Sequence, residues 1–218
     1  MNLLTDRLTR SVFLGDIEYP IAWDFRAGIK LELLLDDPDV SDADKKSSAL
    51  KLFYGVARWE EAQIKQNPVP YLNFIDHVQE AITQLLEFYI GPEKSGVQGG
   101  SGGKGQQERI YSFNDDASRI YASFFQQYHI DLSKVKLHWW KFKALFEGLS
   151  EETSMRKVMD IRSLSDSEIS RMPKEQAAMY RQLKKRCALS PRLSKSEREK
   201  QAALEDILMH GGSLAEIQ

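Results

Sequence analysis

The run Gly99-Gly100-Ser101-Gly102-Gly103-Lys104 is the first place to look for chemistry, because backbone amides and a lysine can cradle phosphates. Its spacing excludes that reading. A phosphate loop needs glycine five residues before its second glycine and Ser or Thr after the lysine, and those places hold Gln98 and Gly105. Four histidines, His77, His129, His138 and His210, are scattered, and no two have the three- or four-residue helical spacing that aims two imidazoles at one metal. The acidic pairs Asp36-Asp37, Asp115-Asp116 and Glu151-Glu152 fall at the ends of helical patterns, where carboxylates answer the helix dipole. Cys187 is the only cysteine, so no intramolecular disulfide can form, and a reducing compartment or a virion interior is expected. The sequence therefore nominates no catalytic residue, no metal ligand and no cofactor, and points to a protein that acts by binding.

Binding chemistry is concentrated between Tyr111 and Leu149. Read as one helix opened by Asp131, the stretch Leu132–Leu149 places Leu132, Val135, Trp139, Phe142, Phe146 and Leu149 on one stripe and Leu137, Trp140 and Ala144 on another. Lys134 and Lys141 line one seam between the stripes, and Lys136, Lys143 and Glu147 the other. Core packing accounts for the main stripe. Trp140 lies off it, and indole is favoured at interfaces, so Trp140, Leu137, Lys136 and Lys143 are the residues expected to face a partner. Leu204 and Leu208, on a helix expected from Ser194 to His210, complete the candidates. Lysines among aromatics could also grip single-stranded nucleic acid, a reading that ranks below protein binding because the aromatics fall mostly where a core needs them.

The elements that position these residues can be read from caps and periodicity. The 218 residues are 42% hydrophobic and 28% charged, which is globular composition, and a net charge of -2 gives no bulk attraction to polyanions. Alternation over Val12–Ile21 around Gly15-Asp16 predicts a β-hairpin. Asp24 caps a helix carrying Phe25, Ile29 and Leu33, and Ser41 with Asp44 opens another that ends at Gly55. Tyr71, Ile75, Val78, Ile82, Leu85 and Tyr89 predict one long amphipathic helix. Ser112 and Asp115 open a helix with Ile120, Tyr121, Phe124, Phe125 and Tyr128 on a broad face. Ser165 with Glu168 forms a capping box, Pro173 opens the next helix, and Ser194 with Glu197 repeats the box spacing. The expected architecture is mainly α, a helical bundle in two lobes with a short N-terminal hairpin. Its divisions are an N-terminal lobe over 1–90, a glycine-rich linker over 91–108, an aromatic helical lobe over 109–190 and a charged helix over 191–218. No apolar stretch reaches the roughly 18 residues a membrane span needs, and Met1–Arg10 lacks the apolar run of a signal peptide, so neither membrane insertion nor signal-directed export is expected.

The segments Tyr111-Ser112-Phe113, Ile120-Tyr121-Ala122-Ser123-Phe124, Ile130-Asp131-Leu132 and above all Leu137-His138-Trp139-Trp140-Lys141-Phe142, with Leu145-Phe146 and Gly148-Leu149, resemble the bacteriophage Gp15 proteins of phage and prophage tail gene clusters. Weaker echoes lie in Tyr19-Pro20-Ile21, Asp24-Phe25-Arg26 and Ile161-Arg162. The resemblance implies a tail assembly chaperone in the host cytoplasm, with the tape-measure protein and the major tail protein as partners and a homo-oligomer as a further option. It carries over no catalytic residue. A structural tail or connector component retained in the virion is the alternative from another class, and a single-stranded nucleic-acid binder is the second.

Overall fold

The computed structural model describes residues 3–55, 61–91, 109–191, 194, 196 and 197. Strands β1 (Ser11–Leu14) and β2 (Ile17–Pro20) pair antiparallel with Leu14 opposite Ile17, so Gly15-Asp16 is the turn, and Gly15 takes the positive φ that it requires. Alternation buries Val12, Leu14 and Tyr19 against the helices and leaves Phe13 outside.

Ten helices follow among the described residues. Helix α1 (Phe25–Asp36) is capped by the Asp24 carboxylate, which accepts the Arg26 N–H. Helix α2 (Asp42–Tyr54) is capped by Ser41 and stops at Gly55, whose left-handed φ of 65° lets the chain leave. The inward face of α1 is Phe25, Gly28 and Leu31, while Leu33, expected inside, is largely exposed. After α3 (Glu61–Gln66), the long helix expected over Tyr71–Tyr89 is two, α4 (Val69–Asp76) and α5 (Val78–Ile90). They break at His77, whose backbone leaves the helical region and whose ring Nδ1 shares the Asn73 carbonyl with the His77 N–H. The break rotates the expected stripe, so the buried residues are Phe74, Ala81, Leu85 and Phe88 in place of Tyr71, Ile75 and Val78.

Helix α6 (Ala117–Tyr128) starts later than Ser112 predicts. The Ser112 hydroxyl does accept the Asp115 N–H, but the chain makes a separate turn there, and α6 begins after Asp116. Ile120 and Phe124 point inward, whereas Tyr121 and Phe125 stack on each other on the exposed side. Helix α7 covers only Trp139–Glu147. The preceding residues expected to be helical are held as a turn and an extended segment, because Arg26 takes their carbonyls: its guanidinium donates to Leu132 O at 2.6 Å and Val135 O at 3.1 Å. Leu137 and Trp139 then pair their backbones with Phe25 and Trp23. An amide bonded across the chain cannot also close the helical ladder, so the two-stripe helix does not form.

Helices α8 (Ser154–Ser163), α9 (Asp166–Ser170) and α10 (Lys174–Arg186) complete the fold. Both halves of the Ser165/Glu168 capping box are present, and both bonds of the Ser194/Glu197 pair form as well. Pro173 sits one place before its helix, as its cap. The expected linker residues 92–108 and most of 191–218 lie outside the described residues.

The aromatic segment and the N-terminal segment share one continuous core, running from Val12 through Trp139 and Phe142 to Met159. Beneath α6 and α8, Asp116 and Arg162 form a buried bidentate pair at 2.6 and 3.0 Å. Arg162 also donates to the carbonyls of Ile110 and Cys187, tying both ends of the C-terminal helical layer to α8. Burial opposes ionisation of Asp116, but hydrogen bonds from Arg162, the Ser112 amide and Arg119, with the Arg162 charge, outweigh it and hold the carboxyl below the usual range.

Two substitutions test this packing. A Cβ at Gly28 would lie 2.3 Å from the Trp139 ring, so Gly28→Ala should destabilise the fold by about 1–3 kcal/mol in urea unfolding, although alanine is the better helix former. Arg162→Met leaves Asp116 buried without its main partner and should cost about 3–5 kcal/mol. Adding Asp116→Leu should recover part of that, where two independent contributions would only sum.

Candidate functional site

The four candidates of the aromatic segment separate into two places. Trp140 is not at the surface: it is 8% exposed, and its indole N–H donates to Phe88 O at 2.6 Å. Its neighbour Trp139 donates to Tyr89 O at 2.9 Å and stacks on the Tyr89 ring, and Lys143 donates to Ile90 O at 2.8 Å. Three successive carbonyls at the end of α5, which have no partner within their own helix, are thus capped by α7. Lys143 is spent on this contact. Burial lowers its pKa, against the opposing charges of Glu147 and Glu32. Burial likewise raises Glu32, even though the Tyr89 hydroxyl donates to it at 2.9 Å. Trp140 and Lys143 are accordingly packing and capping groups. The sequence reading missed this because the carbonyls they satisfy lie some fifty residues earlier.

Lys136 and Leu137 line a cleft of about 850 Å³ formed by the N-terminal segment, Trp23 and the start of α7. Its cations are Arg7, Arg10, Lys136 and Lys141, and its lining holds one carboxylate, Asp6. Trp23 forms part of the wall and is already engaged, with the Arg10 guanidinium 4.4 Å from its ring centroid and the His138 imidazole stacked at 6.0 Å. His138 anchors the wall. Its Nε2 donates to Thr9 O at 2.9 Å, and its Nδ1 accepts the Trp140 N–H as the cap of α7. That pair of roles requires the neutral ring. Burial lowers its pKa, and the charges of Arg10 and Lys141 push the same way, against the Thr9 hydrogen bond. Arg7, Arg10 and Trp23 were not legible as site residues, since no local spacing relates them to residues 136–141.

A third surface is apolar. Val69, Leu72 and Ile75 recur at every third residue of α4 and are each more than half exposed. Leu204 and Leu208 lie outside the described residues. Among the described residues, no group of three His, Cys, Asp or Glu is arranged to hold a metal ion, and no helix is long and apolar enough to cross a membrane.

A histidine whose folded pKa is depressed contributes stability that is present above its unfolded value of roughly 6.5 and is lost as pH falls. His138→Asn keeps a side-chain acceptor for the α7 cap but removes the titration. The unfolding free energy of the unaltered chain should therefore fall between about pH 7 and pH 5 more steeply than that of the variant. Urea midpoints across that range measure the difference, and parallel curves would show that His138 contributes nothing to it.

No curated protein and no solved structure matches the chain. A family model described as Bacteriophage Gp15 protein matches residues 4–189, a span that takes in the cleft, the capped end of α5 and the buried ion pair, so the chain belongs to the bacteriophage Gp15 family.

Proposed function

We propose that this phage protein is a non-enzymatic tail assembly chaperone that binds the tape-measure protein and brings major tail protein subunits to it. The family places the chain among phage proteins. The observation that supports binding as its mode of action is the apolar face of α4, where Val69, Leu72 and Ile75 present the spacing that accepts the apolar side of an amphipathic helix. A long helical partner offers that chemistry repeatedly along its length, and a chaperone covers it until the tube is built. Soluble monomers rarely leave such a run uncovered without a use for it.

Co-expression with the tape-measure protein of the same gene cluster tests the reading. Soluble tape-measure protein co-purifying with this chain is the expected result, and unchanged solubility and oligomeric state of the tape-measure protein would refute it. Leu72→Asp with Ile75→Asp should weaken the complex at least tenfold, or about 1.4 kcal/mol, while circular dichroism and thermal unfolding of the isolated chain stay nearly unchanged, as for other exposed positions. Mass spectrometry of mature particles should find the protein absent; its presence at stoichiometric level would make it a structural tail component instead.

A further inference from the structure

We propose that the basic cleft receives the aspartate-rich α1–α2 loop of a second copy of this chain, so that copies associate head to tail. The inference rests on the placement of charge and not on the chaperone reading. The cleft gathers Arg7, Arg10, Lys136 and Lys141 around one lining carboxylate, Asp6. An opposite charge is gathered in the α1–α2 segment: residues 36–44 hold Asp36, Asp37, Asp39, Asp42 and Asp44, and although Lys45 and Lys46 follow directly, the Lys45 ammonium is engaged with Leu35 O at 2.7 Å. Asp39, Asp42 and Asp44 are exposed.

The two features sit at opposite ends of α1. Trp23, in the cleft wall, directly precedes the α1 cap Asp24, and Asp37 terminates the helix. Twelve residues at 1.5 Å each separate them by about 18 Å. The loop of one chain therefore does not fill that chain's own cleft, whereas a neighbour displaced along the α1 direction can supply it. The loop is also ordered before it docks. The Asp37 side chain accepts the Asp39 N–H at 2.9 Å, Pro38 fixes the backbone between them, and Ser41 caps α2, so little entropy remains to be lost on association.

Guanidinium and ammonium groups suit carboxylates, and charge complementarity of this kind sets register and encounter rate more than raw affinity. The same cations could attract single-stranded nucleic acid. That occupant is disfavoured because Trp23, the aromatic ring of the cleft, is already covered by Arg10 and stacked with His138, so the base-stacking platform such binding uses is taken. A contact between two different surfaces of the same chain does not saturate in a pair, and continues into a ring or a filament.

Sedimentation of the full chain at roughly 50 mM and roughly 500 mM salt, where screening lengths differ about threefold, is the first measurement. Association beyond a dimer at low salt that disappears at high salt is expected. Lys136→Glu with Lys141→Glu, and separately Asp39→Lys with Asp42→Lys, should each weaken association at least tenfold while helical content is retained. The chain carrying all four substitutions keeps Arg7, Arg10, Asp36, Asp37 and Asp44 but sets the new glutamates against the new lysines, and should recover part of the association lost in the Lys136→Glu, Lys141→Glu pair, which a folding defect in that pair could not produce. A chain that is monomeric at low salt, association indifferent to salt, or no recovery in the four-fold variant overturns the proposal. So does binding of a single-stranded oligonucleotide that the Lys136→Glu, Lys141→Glu pair abolishes without any effect on self-association.

Discussion

Everything in this fold that concerns α7 depends on three carbonyl groups at the end of α5. The carbonyls of Phe88, Tyr89 and Ile90 have no acceptor role left inside their helix, and the first two are covered by protein. A buried carbonyl without a partner costs roughly 1–3 kcal/mol. The Trp-Trp-x-x-Lys order of α7 supplies three donors at the right heights, two of them carried on large apolar rings that fill the space they cross. Capping and core formation are thus done by the same side chains. Gly28 belongs to this arrangement, because only a residue without a Cβ leaves room for the Trp139 ring against α1. The run Trp139-Trp140-Lys141-Phe142-Lys143 owes its donors and its place in the core to this contact.

Two arginines extend the same logic to segments that are not helical. Arg26 gathers the carbonyls of Leu132, Ser133 and Val135 and pairs with Asp24, so the approach to α7 is fixed by a side chain where a helix would have fixed it by its own ladder. Arg162 does this under α6 and α8, joining Asp116 to the carbonyls of Ile110 and Cys187. A guanidinium has enough donors to serve several backbone acceptors at once, which a lysine in either place could not do with the same geometry.

These long-range donors explain what could be read from the sequence and what could not. Asp24, Ser41 and Ser165 announce their helices because a cap and the amide it accepts lie within three residues. The Gly15-Asp16 hairpin is local in the same way. The stretch from Leu132 onward has the periodicity of a helix, and nothing within it reveals that Arg26 has claimed its carbonyls. The break at His77 is similarly invisible in the stripe from Tyr71 to Tyr89. The expectation that Trp140 faces a partner rests on the second stripe of a helix that begins seven residues later than periodicity suggests. The cleft is the extreme case, since its walls come from residues 6–11, 23 and 136–141 and no window of sequence contains them all.

The cleft and the capped helix end meet at His138. The ring holds Thr9, and with it the N-terminal wall, against α7, while its other nitrogen caps that helix directly beside Trp140. Burial is the main cause of this imidazole's lowered pKa, and the cleft cations Arg10 and Lys141 add to it. A net charge of -2 conceals this arrangement: cations line the cleft at one end of α1, and aspartates follow its other end.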